Sequence, residues 1–130
     1  MANALFDYGR EGFLAGDIDW DANNIKAVLV DHGIDTPLPA TDQFLSDIAA
    51  GARIATSGNF ATKTVTAGVA DAADVTITAV SGATVESIVI YQDTGVATTS
   101  RLIAFIDVAT GLPFTPNGGD VTLAWDNGAN

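Results

Sequence analysis

Apolar and polar positions alternate along much of the chain, and that alternation predicts strands. Between Ile25 and Val30, Ile25, Ala27 and Leu29 fall on one face and Lys26, Val28 and Val30 on the other, with Asp31-His32-Gly33 ending the run. From residue 61 the period of two is clearest. Lys63, Val65, Ala67 and Val69 oppose Thr62, Thr64 and Thr66, while Val75, Ile77 and Ala79 oppose Thr76, Thr78 and Val80. Threonine at every second position suits an antiparallel sheet with one solvated face. Residues 85–91 and 101–108 are apolar on both faces, which places them centrally. Val121, Leu123 and Trp125 share one face of a last strand, after the turn-forming Pro113 and Pro116-Asn117-Gly118-Gly119.

One segment carries a clear helix signal. In residues 41–50, Phe44, Leu45, Ile48 and Ala49 share a face, Thr41 is placed to cap, Asp42 lies in the first turn, Gly51 follows as a C-cap, and Arg53 lies just beyond. The first twenty residues hold Gly9, Gly12 and Gly16 among Leu5, Phe6, Tyr8, Phe13, Leu14 and Trp20, a pattern for a helical turn or packed arm rather than a long helix. Gly68, Gly82, Gly95, Gly111 and Gly118-Gly119 then punctuate five or six strands at short intervals. The expected fold is mainly β: a compact antiparallel β-sandwich or open barrel with one short helix near residues 41–50. Residues 1–130 are read as a single structural domain, with residues 1–20 as an N-terminal arm.

Composition narrows the chemistry. The 130 residues include 16 acidic and 5 basic side chains, one histidine and no cysteine, for a net charge of -11. Such a surface repels nucleic acid and anionic lipid, whose affinity for proteins rests on Lys and Arg. Without cysteine there is no disulfide, thiolate metal site or thiol nucleophile. A single histidine, His32, excludes multi-histidine metal centres. The start lacks a basic, then apolar leader pattern, and no stretch approaches 18 apolar residues, so neither a signal peptide nor a membrane span is expected.

The remaining candidate residues each have a plain structural reading. Asp17, Asp19 and Asp21, with Asn23 and Asn24, begin like a calcium loop, but Ala22 stands where the loop needs glycine and Val28 where it needs a bidentate glutamate. Calcium binding and a solvated acidic turn both remain open on sequence. Asn117-Gly118-Gly119-Asp120 and Asp126-Asn127 read as turns, and Glu11 and Glu86 pair with no aspartate by spacing. His32 follows Asp31, yet none of Ser46, Ser57, Ser81, Ser87 and Ser100 sits in a nucleophile motif. Gly9-Arg10-Glu11-Gly12 and Gly118-Gly119 lead into no phosphate-binding element. No catalytic, cofactor-binding or metal residue is assigned, and no enzyme is expected. Trp20 and Trp125 are candidates for core packing, an interface or sugar stacking, and Arg10, Arg53 and Arg101 are interface candidates.

The segments Asp7-Tyr8-Gly9-Arg10-Glu11-Gly12-Phe13-Leu14-Ala15-Gly16, Ile18-Asp19-Trp20-Asp21, Ile25-Lys26-Ala27-Val28-Leu29-Val30-Asp31 and Phe44-Leu45-Ser46-Asp47-Ile48 stand in an order that resembles a family of small structural proteins of tailed bacteriophages. Ile90-Tyr91-Gln92-Asp93-Thr94-Gly95, Leu102-Ile103-Ala104-Phe105-Ile106-Asp107 and Gly118-Gly119-Asp120-Val121-Thr122 continue it, as does Val65-Thr66-Ala67-Gly68-Val69-Ala70-Asp71-Ala72. The resemblance implies a non-enzymatic virion protein, foremost a capsid cement or decoration protein that stabilises capsomer junctions. It would be made in the host cytoplasm and placed on the outer capsid surface, with the major capsid protein as partner and a homo-oligomer, such as a trimer, as its form. A tail, head-tail connector or fibre-associated protein, and a carbohydrate or host-surface binding module, are the alternatives. Nucleic acid, membrane and cofactors are not expected partners.

Overall fold

The computed structural model describes residues 2–126. In chain order its elements are β1 (Ala4–Leu5), α1 (Asp7–Ala15), β2 (Ile25–Val30), β3 (Arg53–Thr56), β4 (Thr64–Thr66), β5 (Val69–Asp71), β6 (Val75–Ile77), β7 (Ser87–Gln92), β8 (Leu102–Ile106) and β9 (Val121–Leu123). The strands form a five-stranded sheet in the order β1-β8-β7-β2-β3 and two two-stranded ribbons, β4-β5 and β6-β9. Every pairing is antiparallel. The fold is mainly β, as the alternation predicts, with no closed barrel.

The large sheet is apolar on both sides because its central strands are. β2 and β7 pair from Ile25 with Gln92 through Val30 with Ser87, so that Ala27 stands opposite Ile90 and Val28 opposite Val89. On one side, Val28, Val30, Val89, Tyr91 and Phe105 pack with Phe6, Ile48 and Ala52. On the other, Ile25, Ala27, Ile90 and Ile103 pack beneath Ile18, Trp20 and Phe60. Leu29, Ile77, Val80 and Val85 extend this second core under the β6-β9 ribbon. At roughly 25 cal/mol per Å² of apolar surface removed from water, burial on both sides makes the central strands the main source of core stabilisation.

The helix expected at residues 41–50 does not form. That segment contains instead a 3-10 turn at Leu45–Asp47 and another at Ala50–Ala52. Its backbone is engaged elsewhere: Leu45 N donates to Ser100 O, Leu102 N donates to Gln43 O, and Phe44 bridges Arg101. Side chains compete too, since Asp42 accepts from Leu38 N at 2.7 Å and Asp47 from Gln43 N and Phe44 N at 2.8 and 2.9 Å. The bonds of Leu45 N and Gln43 O to the segment 100–102 replace those a helix would have made, while the aspartates cap local turns, and the apolar face predicted for the helix is met by Ile48, which is fully buried.

The one α-helix among the described residues, α1, lies near the N-terminus. It tolerates two interior glycines because it lies hard against β8: a Cβ on Gly9 would stand 2.6 Å from Leu102 O and 2.9 Å from Ile103 Cα. On Gly12 it would stand 2.6 Å from Ile18 Cδ1. Residues 4–20 are thus packed on the sheet, with Phe6 completely buried and its N–H on Ile103 O at 2.9 Å.

The single alternating run seen in residues 62–69 is divided. Ala67 and Gly68, at φ 51° and 79°, make a turn that folds Val69–Asp71 back on Thr64–Thr66. Two successive left-handed residues supply the twist of a tight hairpin, and Gly68 accepts that conformation freely. Periodicity alone continues through such a turn and conceals it.

Candidate docking surface

The ribbons cover the second side of the sheet incompletely and leave apolar clefts, among them two of several hundred Å³. One, of about 590 Å³, lies between the sheet and the ribbon β6-β9, lined by Ile88, Ile106, Leu112, Phe114 and Leu123 among others. The second, of about 670 Å³, lies between the sheet, α1 and the hairpin β4-β5, lined by Leu5, Phe13, Ile18, Trp20, Val65 and Ile103 among others. Ile90, Ile106 and Trp125 line both. Both volumes fall within the roughly 300–1,000 Å³ of ordinary binding clefts.

Three aromatic rings build the ridge between them. Trp20, Phe60 and Trp125 meet edge to face, with centroids 6.2 Å apart for Trp20 and Phe60, 5.7 Å for the two tryptophans and 5.6 Å for Phe60 and Trp125. Each such pair contributes about 0.5–1.5 kcal/mol beyond the area it buries. The rings are also fixed by polar contacts. Trp20 donates its indole N–H to Asp71 O at 3.1 Å, and the Trp125 backbone N–H donates to the Asp74 carboxylate at 2.8 Å. Trp20 is a core residue at 6% exposure, whereas Trp125 is half-buried. Tyr91 is buried on the opposite side of the sheet and lines neither cleft.

The rim of the second cleft is apolar and open to solvent. Leu5, Phe13 and Val65 remain 47%, 38% and 56% exposed. Large apolar side chains gathered around a concavity are a mark of an interaction surface. Sequence pattern alone missed Leu5, Phe13 and Val65 as a group, because they come from β1, α1 and β4 and converge only in three dimensions. The available signal was Phe13-Leu14, two large apolar neighbours that cannot both face inward from one short helix.

The other candidates have structural duties. Ile18 and Trp20 turn inward, leaving Asp17, Asp19 and Asp21 outward and exposed. Asp17 lies 3.7 Å from Arg101, and Asp19 accepts from Ala22 N at 3.3 Å while its own N–H donates to Asn23 Oδ1 at 2.7 Å. Among the described residues no three acidic or histidine side chains gather as a metal-binding group. His32 Nε2 is 2.8 Å from Ser87 Oγ, the spacing of a base and nucleophile. Ser87, however, is fully buried, so the pair is a core contact, with the imidazole stacked on Phe105. Glu86 accepts from His32 N at 2.8 Å.

The turn candidates behave as turns: Asn117 accepts from Gly119 N at 2.9 Å and Asp120 from Ala79 N at 3.1 Å. Asp126 is exposed, and Asn127 lies outside the described residues. Among the arginines, Arg10 pairs with Asp7, Arg53 donates to Ile48 O at 2.9 Å, and Arg101 donates to Tyr8 O at 3.1 Å while its guanidinium lies 5.6 Å from the Phe44 ring centroid. No helix among the described residues is long and apolar enough to cross a membrane. No family model matches the chain, and no curated protein is significantly similar to it.

Proposed function

We propose that this chain is a non-enzymatic structural protein of a tailed-bacteriophage virion, acting as a capsid cement protein that joins capsomers from the outer surface. The observation that carries the reading is the open apolar cleft beside Trp20 and Trp125, rimmed by Leu5, Phe13 and Val65 on a rigid sheet. Such a surface supplies binding energy when covered and requires no chemistry of its own. The bacteriophage resemblance supplies the setting.

In this role the protein acts by mass action. It binds the assembled lattice and not the separated capsomers, so occupancy stabilises the shell in proportion to the logarithm of its free concentration, and several contacts per oligomer multiply the effect. The test is sedimentation of the purified chain with assembled shells lacking it. Saturation at a fixed ratio to capsid subunits, with a raised shell melting temperature, is expected. Absence of co-sedimentation, or saturation at one ring of copies per particle, would overturn the cement reading, the latter in favour of a connector.

A further inference from the structure

We infer that the cleft between α1, the sheet and the hairpin β4-β5 receives a cationic, apolar-tipped segment of a different protein rather than a second copy of this chain. The inference rests on the proposed docking role for its context, and on the distribution of charge for the partner's chemistry.

Each of the five basic side chains already has a partner within the fold. Arg10 is held by Asp7, Lys26 by Asp93 at 2.8 Å, and Arg101 by Tyr8 O and Asp17. Arg53 donates to Ile48 O at 2.9 Å and Lys63 to Phe60 O at 3.4 Å. The chain has eleven more carboxylates than cations, 16 against 5, so the field at its surface is negative. Among the described residues, Asp19 is the one charged side chain lining this cleft. An incoming apolar group therefore meets an apolar pocket inside an anionic surround, and basic neighbours on the incoming segment complete the match. A second copy would bring another charge of -11 toward the first.

One wall of the cleft is suited to accommodating such a segment. The strands of the hairpin β4-β5 pair only with each other. An isolated two-stranded hairpin is marginal in water, so its position depends on its tethers to the body, notably Trp20 Nε1 to Asp71 O at 3.1 Å. Val65 and Ala70 on this wall line the cleft.

Intrinsic fluorescence reads the site directly, because the chain has two tryptophans and both line it. The probe is a synthetic Lys-Phe-Lys-Leu-Lys amide, compared with Glu-Phe-Glu-Leu-Glu and Lys-Ser-Lys-Ser-Lys. The first should give a saturable spectral shift, about fivefold or more weaker in 0.5 M than in 0.05 M NaCl because screening shortens the reach of the carboxylates. Val65→Arg should abolish the shift, and Asp19→Asn should weaken it without altering the fold. Sedimentation velocity on the chain alone completes the experiment.

No shift with the cationic apolar peptide, an equal shift with the acidic one, or an unchanged shift in Val65→Arg would each overturn the inference. Self-association that strengthens with salt and is lost in Val65→Arg would also overturn it, in favour of a second copy. Shell binding separates the two proposals. Peptide binding without shell binding removes the virion role and leaves this inference, whereas shells that bind wild type and Val65→Arg equally remove this inference and leave the virion role.

Discussion

The indole N–H of Trp20 donates to the carbonyl oxygen of Asp71 at 3.1 Å, joining the loop after α1 to the end of β5. This bond sets the distance between two walls of the open cleft. It also satisfies a polar group that would otherwise be costly to bury, since Trp20 is 6% exposed.

Trp20→Phe keeps an aromatic ring against Phe60 and Trp125 but removes the donor. A loss of about 1–3 kcal/mol is expected in urea unfolding, with faster amide exchange at residues 64–71 than elsewhere in the chain. Unchanged exchange in the hairpin would show that the bond does not hold that wall.

Gly9→Ala tests the close approach of α1 to β8. A Cβ there would meet backbone atoms at 2.6 and 2.9 Å, which cannot move aside as a side chain would, so a destabilisation of about 2 kcal/mol or more is expected. Gly58→Ala, with no atom within 4 Å of the added carbon, serves as the comparison and should change stability by less than about 0.5 kcal/mol. Equal melting temperatures for the two variants would contradict the packing argument.

Asp93 governs part of the acid response. The Lys26 ammonium, and after it the Gly95 N–H, hold its carboxyl below the ordinary value of 3.8. A depressed folded value means that the stabilisation is fully present above the ordinary value of 3.8 and disappears as pH falls through the lower folded one. Asp93→Asn should therefore cost about 1 kcal/mol at pH 7 and progressively less as pH falls below 3.8, measured by denaturation at each pH. Asp42 works in the opposite sense, because burial raises its carboxyl and its ionisation on raising the pH offsets part of that gain.

At the alkaline end, burial pushes the Tyr91 phenol from 10.0 up to about 12, with the Asp93 charge adding to the shift. The stability it confers is complete below pH 10 and is lost as pH rises toward 12. Ultraviolet titration should show one tyrosine ionising near pH 12 in the folded protein, and if that phenol instead titrates at its ordinary value it drains no stability at high pH and the alkaline unfolding limb should move upward in pH.

The outward carboxylates Asp17, Asp19 and Asp21 are placed for solvent, backbone capping and Arg101 rather than for one shared cation. Saturating chelator should leave the melting temperature unchanged within measurement error. A fall of several degrees, reversed by calcium, would restore the calcium reading of this segment.

Much of the fold was legible because burial and alternation agree in the central strands: the run Ile25–Val30 is β2, residue for residue. The helix expected at residues 41–50 failed because the segment Ser100, Arg101 and Leu102 claims the backbone of Gln43, Phe44 and Leu45, a competition that propensity does not register. The hairpin turn at Ala67-Gly68 was hidden because alternation persists across it. Trp20 and Trp125 were legible as candidates, but their meeting at 5.7 Å depends on pairings between segments a hundred residues apart in sequence, and so does the cleft they border. The acidic excess became intelligible only with coordinates: Asp31, Asp35, Asp42, Asp47, Asp74 and Asp93 each accept a backbone N–H, which explains aspartate without a matching number of cations.

The most direct test of the proposed role is reconstruction of an intact virion at a resolution that places this chain. The account predicts density repeated over the outer capsid lattice, with the surface bearing Leu5, Phe13 and Val65 turned toward basic side chains of the capsid protein. Density confined to the portal axis or tail, or a lattice position with that surface facing solvent, would contradict it.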